Sequence, residues 1–515
     1  MTSAAPADFT LDVGLDNEVA TQRLARDLSR LLAPGDLVAL AGGLGAGKTA
    51  FARHLIRQLT GHDALEVPSP AFTLVQSYDF PRGEIVHADF YRLKGDAELA
   101  ELGWEELSDQ ALTIVEWAQN APASLRADRL DLAFYLDAAK GDAFRRAVIV
   151  ARGDLAPRLK RFLAIEAMLS GSVWAGARRE FMQGDASTRS YEKLLKPNGD
   201  TAILMISPPR ADGPPVKDGK PYSAIARLAE NVVPFVGMDN GLRAQGFSAP
   251  RIIASDLDAG LAIIEDFGSE GVTHGDAPIG DRYAEAVAVL ARMHRLPLPA
   301  SVPVGNGLEH HIPPYDLEAL AIEAELLADW YVPHIGKTRL TNTARGVFVS
   351  LWRYRLQMVL AAATTWTLRD YHSPNLIWLA NRHGLARVGL IDFQDCVLGH
   401  PAYDVASLLQ DARVTVSDEL ELRLLGHYAR LRKMQDREFD MQAFAGAYAI
   451  LGAQRATKIL GIFARLDKRD RKPHYLLHMP RVEAYLRKNL AHPMLAELKN
   501  WYETHLPKLF AAAGQ

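Results

Sequence analysis

Cysteine is almost missing from this chain: Cys396 stands alone among 515 residues. An intrachain disulfide and an all-cysteine metal cluster are thereby excluded, as expected for a reducing compartment, and Cys396 reads as core filler. No run of about 20 apolar residues occurs, and the opening MTSAAPADFTLDVGLDNEV has no basic segment followed by an apolar core. Membrane spanning and export therefore lack support, and the expected location is the cytoplasm. Excess charge is missing too. A formal net charge of −4 gives no global attraction to nucleic acid or to an anionic membrane, so direct RNA binding is not expected.

What is present is a globular composition, 48% hydrophobic and 23% charged, in a chain long enough for roughly two to four domains. NEVATQRLARDLSRLL has helical spacing, Ala33-Pro34-Gly35-Asp36 is a turn, and DLVALAG is a short buried-strand pattern. The helical AFARHLIRQL follows GGLGAGKT, and FTLVQSYDF, EIVHADF, ALTIVEW, RLDLAFYL and RRAVIVARG are further strand candidates. This block ends near Gly153, and residues 154–180 read as a linker merging into the first helix of a second block. There, REFMQGDASTRSYEKLL with GDTAILMISPP reads as a hairpin, PPRADGPPVKDGKP as a flexible loop, and residues from about 281 onward as mostly helical. The expected domains are 1–155 and 156–515, the latter with a small lobe at about 165–268 and a helical lobe at about 269–515.

The stretch Gly42-Gly43-Leu44-Gly45-Ala46-Gly47-Lys48-Thr49 sits between a strand and a helix, the context a phosphate-binding loop requires. Its backbone N–H groups can turn toward a triphosphate at a helix N-terminus, with Lys48 reaching the β/γ-phosphates and Thr49 ligating Mg²⁺. Gly42, Gly45, Ala46, Gly47, Lys48 and Thr49 are thus candidates for ATP binding. Such a site needs an acidic residue at a neighbouring strand end. Asp89 and Glu116 both end apolar strand patterns and both qualify; either also fits an exposed strand-end carboxylate. The ordered segments LGAGKTAF, VPSPAFTLV, HADFYRL and IVEWAQNAP resemble the TsaE family of ATPases in bacterial tRNA threonylcarbamoyladenosine synthesis, over roughly residues 15–150. The resemblance implies an α/β P-loop NTPase domain, Asp89 and Glu116 beside the metal, Glu116 in ATP turnover, and TsaD and TsaB as partners, with no direct tRNA binding by this chain. Ala71 stands where Thr is usual, which leaves Ser69 or Thr73 as the relevant hydroxyl. His87, Tyr91, Arg92 and Trp117 carry over as motif positions without a derivable role.

A phosphotransferase needs one carboxylate to orient the acceptor hydroxyl, then an amide and a second carboxylate to hold magnesium against ATP. Asp370 and Asn375, with four residues between them in LRDYHSPNLIWL, have the spacing of a kinase catalytic loop, and Asp392 follows an apolar strand pattern in LIDF. Asp370 is then the base, and Asn375 and Asp392 the metal ligands. The continuation GHPAYDVASLL resembles the aminoglycoside-phosphotransferase branch of kinase-like folds, an α+β bilobal domain, with Asp404 as a helix-capping and loop-anchoring residue. The resemblance also implies that GDASTRSY covers the nucleotide and that Glu265 and Asp266 in LAIIEDFG mark the hinge where adenine docks. GDASTRSY, LRDYHSPNLIWL, IDFQDCVLGHPAYDVASLLQDAR and GAQRATKILGIFARL together resemble the AmgK family, over about residues 160–500. That family phosphorylates the anomeric hydroxyl of N-acetylmuramate and N-acetylglucosamine.

Two positions depart from the kinase pattern: Leu368 replaces the His two residues before the catalytic Asp, and Met205 stands where an ATP-binding Lys is common. Arg189 or Lys193 is the candidate replacement. The run Lys468–Tyr475 offers cations for an acidic sugar but reads better as a solvated helix end, and His310, His311 and His372 lack metal spacing. The leading expectation is a fusion of a tRNA-modification ATPase with a sugar 1-kinase. The alternatives are a C-terminal pseudokinase scaffold, or an aminoglycoside kinase with an acidic pocket.

Overall fold

The computed structural model describes residues 8–101, 103–182, 189–209, 213–362, 364–434 and 436–510. The chain divides into two compact units, Met1–Ala175 and Gly176–Gln515.

In the first unit β1 (Phe9–Leu15), β2 (Leu37–Gly42), β3 (Val75–Phe80), β4 (Gly83–Asp89), β5 (Leu112–Glu116), β6 (Leu130–Leu136) and β7 (Arg145–Ala151) form one sheet in the order β1-β7-β6-β2-β5-β4-β3. β2 runs parallel to β5 and β6, and β4 runs parallel to β5. These central strands are buried almost throughout, as parallel strands covered on both faces must be. β1 is an edge strand absent from the sequence-based expectations; its Phe9, Leu11 and Val13 alternate with exposed residues, the period of a half-covered edge. Helix α1 (Glu18–Ser29) starts where Asn17 caps the Ala20 amide at 3.1 Å, and packs on α2 (Lys48–Thr60), which opens from the glycine-rich loop.

The segment expected to be a linker is helix Leu155–Ser170, and it belongs to the first unit. Leu155, Ala156, Leu159 and Phe162 enter that unit's core, and Arg158 pairs with Asp36 at 2.7 Å. The boundary therefore falls at residue 175, about 20 residues beyond the expected one, because an apolar stripe on a helix has to be covered by something.

The second unit begins with an antiparallel sheet of β8 (Arg178–Met182), β9 (Ser190–Leu195), β10 (Thr201–Ile206), β13 (Ile252–Asp256) and β14 (Leu261–Glu265), ordered β13-β14-β10-β9-β8. Residues 183–188 lie outside the described residues, and with them most of the expected nucleotide-covering turn. Part of the expected flexible loop is a short hairpin, β11 (Pro215–Lys217) and β12 (Lys220–Pro221), turning at Asp218-Gly219 with positive φ at both. Lys217 anchors it to Glu318 at 3.1 Å. Long helices make up most of the rest, as the sequence suggests, and the longest, Met441–Asp470, is buried along most of its length. Gly461 lets it cross the neighbouring helix end: a Cβ there would lie 2.4 Å from the carbonyl carbon of Leu326. Cys396 is buried. Among the described residues no helix is long and apolar enough to cross a membrane.

Candidate functional sites

The first site grows from the C-terminal ends of β2, β4 and β5. Gly42 must be glycine: its φ is +138°, and a Cβ would stand 2.6 Å from the carbonyl oxygen of Phe134. The Lys48 Nζ donates to the carbonyls of Gly42 and Gly43, at 2.9 Å each, and lies 3.8 Å from the centre of the Trp117 ring. Burial lowers the Lys48 pKa, against the attraction of Glu116 and then Asp89. The two candidate carboxylates are direct neighbours in the sheet register, Asp89 opposite Glu116. Glu116 is gripped on both oxygens, by the Thr49 hydroxyl at 2.7 Å and by His87 Nε2 at 3.0 Å. Asp89 accepts from the Ser69 hydroxyl at 2.6 Å and from the Tyr91 amide at 2.8 Å.

This geometry resolves several open positions. Ser69, not the exposed Thr73, is the hydroxyl that touches a site carboxylate. His87 orients Glu116, and Trp117 forms a floor for the loop lysine, with Tyr91 against it at 5.0 Å. Arg92 lies over Phe72, whose ring is 84% exposed.

The second site is a cavity of about 620 Å³ between the small sheet and the helical lobe of the second unit. Asp370, Asn375, Asp392, Glu265 and Asp266 all line it. The loop that carries Asp370 is tightly bound: Asp404 accepts from the amides of Leu368 and Arg369 at 2.6 and 2.9 Å, and Asp411 accepts from Ser373 N and Oγ. Asp404 is therefore the loop anchor foreseen, but it caps no helix; it lies in the first turn of Ala402–Leu409, which is flanked by Pro401. Burial pushes Asp404 up to about 7 despite those two amides. Arg369, held at φ +66°, buries its guanidinium against Glu323 and the Ala226 carbonyl, and Glu323 also takes Lys458 at 2.8 Å. With the loop fixed, Asn375 Nδ2 lies 3.0 Å from the Asp370 carbonyl and 3.4 Å from Asp392 Oδ2. Burial works against the charge of Asp370, but Lys458, then His372 and Arg455, hold its carboxyl below the ordinary value.

Met205 is fully buried in the core, so the strand position of the common lysine brings no charge to the cavity. Both candidate replacements come from β9 and its entry. Arg189 Nη1 reaches Asp392 Oδ1 at 2.9 Å, and Lys193 reaches Asp266 at 2.9 Å. At the hinge the Glu265 carboxylate is held by Arg382 and the Arg251 amide, and the Asp266 carboxylate by Lys193 and the Gly268 amide. The cations Lys468, Arg469 and Arg471 stay on the exposed end of Met441–Asp470, outside the cavity lining. Arg455, which sequence reasoning passed over inside the same helix, faces the cavity instead.

Among the described residues no group of three or more His, Cys, Asp or Glu side chains could hold a metal ion. Magnesium fits that scarcity, since it is commonly bound through one or two protein oxygens together with substrate phosphates. Thr49, Asp89 and Glu116 at the first site, and Asn375 and Asp392 at the second, present such hard oxygen donors.

The second unit has a kinase-like fold that gathers Asp370, Asn375 and Asp392 on one cavity, and the first is a P-loop unit with an α/β sheet. The profile of the phosphotransferase enzyme family known as APH matches residues 179–445, more than half of the chain, and the profile of the threonylcarbamoyl adenosine biosynthesis protein TsaE matches residues 15–146. The chain belongs to the phosphotransferase enzyme family and carries an N-terminal TsaE domain. It is 39% identical to the N-acetylmuramate/N-acetylglucosamine kinase of Caulobacter vibrioides over 68% of this chain and 97% of that protein. It is 31% identical to the enzyme of the same name from Pseudomonas putida, over 61% of this chain and 84% of that protein. The tRNA threonylcarbamoyladenosine biosynthesis protein TsaE of Rickettsia felis is 43% identical over 20% of this chain; the match spans 61% of that relative's length.

Proposed function

We propose that the second unit transfers the γ-phosphoryl group of ATP to the anomeric hydroxyl of N-acetylmuramate or N-acetylglucosamine, as in the recycling of cell-wall sugars. The observation that carries this reading is the convergence of Asp370, Asn375 and Asp392 on one cavity that also contains the hinge residues Glu265 to Gly268. The full-length relationship to the Caulobacter kinase supports the choice of sugar. Asp370, whose carboxyl Lys458 above all holds below the ordinary value, accepts the proton of the acceptor hydroxyl as its oxygen attacks phosphorus and ADP leaves. Asn375 and Asp392 would hold Mg²⁺, which when bound draws charge from the β- and γ-phosphates. Arg189 supplies a cation beside Asp392 in place of the strand lysine. Because the side chains of Glu265 and Asp266 are engaged within the protein, the hinge offers the adenine its main chain.

The first unit, on this proposal, hydrolyses ATP in support of tRNA threonylcarbamoyladenosine modification, working with TsaD- and TsaB-like partners in the cytoplasm. Lys48 and the loop amides bind the triphosphate. Thr49, Asp89 and Glu116 would hold its magnesium, and Glu116, oriented by His87, stands where an attacking water can be positioned. Phosphorus NMR of the protein with ATP, magnesium and each sugar tests the kinase reading. An anomeric sugar phosphate is expected, and none from the 1-O-methyl glycoside; phosphate on a different hydroxyl, or none on either free sugar, would refute it.

A further inference from the structure

One wall of the kinase cavity is a single stripe of the helix Met441–Asp470: Arg455, Ile459, Ile462 and Leu466, three or four residues apart, with Lys458 and Phe463 beside them. The charge of Lys458 is balanced inside the protein by Glu323. That of Arg455 is not. Its side chain is buried, 6% exposed, yet among the described residues it forms no hydrogen bond and no ion pair. It acts only at longer range on Asp370, His372 and Asp404. On the same side of the cavity Asp411 is occupied by Ser373 and by the Arg413 amide.

A guanidinium keeps its proton, and this one, which lines the cavity, is left to solvent or a ligand for its hydrogen bonds. Such a group is tolerated where a ligand completes it, and its planar fork suits a carboxylate. The nucleotide's phosphates would be met by Arg189 and by the magnesium that Asn375 and Asp392 would hold, while Arg455 continues into the apolar stripe. We propose that Arg455 receives a carboxylate on the acceptor sugar, with the apolar stripe covering its carbon substituents. The preferred acceptor is then a carboxylate-bearing N-acyl amino sugar, of which N-acetylmuramate is the example, and a neutral amino sugar binds without this contact. A polycationic acceptor would meet the like charge of Arg455 at this wall of the cavity. The inference rests on the sugar-kinase reading above.

Steady-state kinetics of the full chain with N-acetylmuramate, its lactyl carboxamide and N-acetylglucosamine test it, for the wild type, Arg455→Met and Arg455→Lys. Arg455→Met should raise the KM for N-acetylmuramate by about tenfold or more, the scale of one charge-assisted pair, and abolish its preference over the carboxamide. The KM for N-acetylglucosamine should stay within about twofold; because Arg455 also acts on Asp370, a fall in kcat should be shared by all three acceptors, and an unchanged circular dichroism spectrum is the folding control. Arg455→Lys should recover part of the N-acetylmuramate affinity. An equal rise in KM with all three acceptors, no rise with any, or no wild-type preference for the carboxylate would overturn the assignment while leaving the kinase reading intact. A wild type that phosphorylates none of them removes both.

Discussion

The two candidate nucleotide sites of this chain place their cations in opposite ways. At the first, the cation and the loop that places it are neighbours in sequence: Lys48 hydrogen-bonds the carbonyls of Gly42 and Gly43, five or six residues away. At the second, the strand that often carries a lysine offers the buried Met205, and the cation beside Asp392 is Arg189, more than 200 residues distant. The contrast teaches that a cation can be placed in such a site by the turn that carries it or brought in from a distant segment, and that only the former leaves a contiguous mark.

Substitutions that silence one site should break this comparison most sharply. Asp370→Asn is expected to lower the sugar-phosphorylation kcat by about 10²- to 10⁴-fold, the usual value of a positioned base, with little change in the KM for ATP. Arg189→Met should act on the nucleotide instead, raising the KM for ATP roughly tenfold, as loss of one charge-assisted contact would. If Arg189→Met leaves the KM for ATP untouched, the cation is structural and the comparison fails.

Electrostatics separates the regions again. In the first unit Asp89 and Glu116 have both oxygens engaged, whereas in the second Asp239 is fully buried with neither oxygen partnered among the described residues. Burial pushes Asp239 up to about 7 from 3.8, with Arg243 opposing and Glu265 adding to the rise. The folded chain therefore keeps a proton that the unfolded chain releases above about pH 4. Stability from this group is complete below that pH and declines as pH rises toward 7, with a slope of at most about 1.4 kcal/mol per unit. Asp404 contributes with the same sign. Asp239→Asn should flatten the decline, read as urea midpoints of the second unit at pH 5 and pH 8; an unchanged difference between them would show that Asp239 ionises freely in the fold. The smallest effect is expected at Trp117→Ala, which should reduce hydrogen-exchange protection at the start of α2 by about 1 kcal/mol, the scale of one cation–π contact.

What the sequence disclosed follows the same division. The loop at 42–49, the strand-end carboxylates and the Asp370/Asn375/Asp392 spacing were readable because each couples a residue type to a short, ordered context. β1 was not, since one alternating heptad at a sheet edge is a weak signal until β7 pairs with it. Helix Leu155–Ser170 has helical spacing in plain view, but nothing in its residues says which unit's core its apolar stripe will cover. The Asp218-Gly219 turn did carry a hairpin signal, hidden by the Pro and Gly around it. His87 and Arg455 stand inside the segments HADFYRL and GAQRATKILGIFARL, but neither role was readable there. Their roles come from what lies opposite them: for His87 a carboxylate on the adjacent strand, for Arg455 a cavity.

The central claim is that one chain holds two separate ATP-using sites, and crossing their key variants tests it most directly. ADP release would be measured with and without N-acetylmuramate for the wild type, Lys48→Ala, Asp370→Asn and the double variant. The account predicts that Lys48→Ala keeps the sugar-dependent ADP and loses the sugar-independent part, that Asp370→Asn does the reverse, and that the double variant loses both. Sugar-dependent turnover that vanishes with Lys48→Ala, or survives Asp370→Asn undiminished, would contradict it.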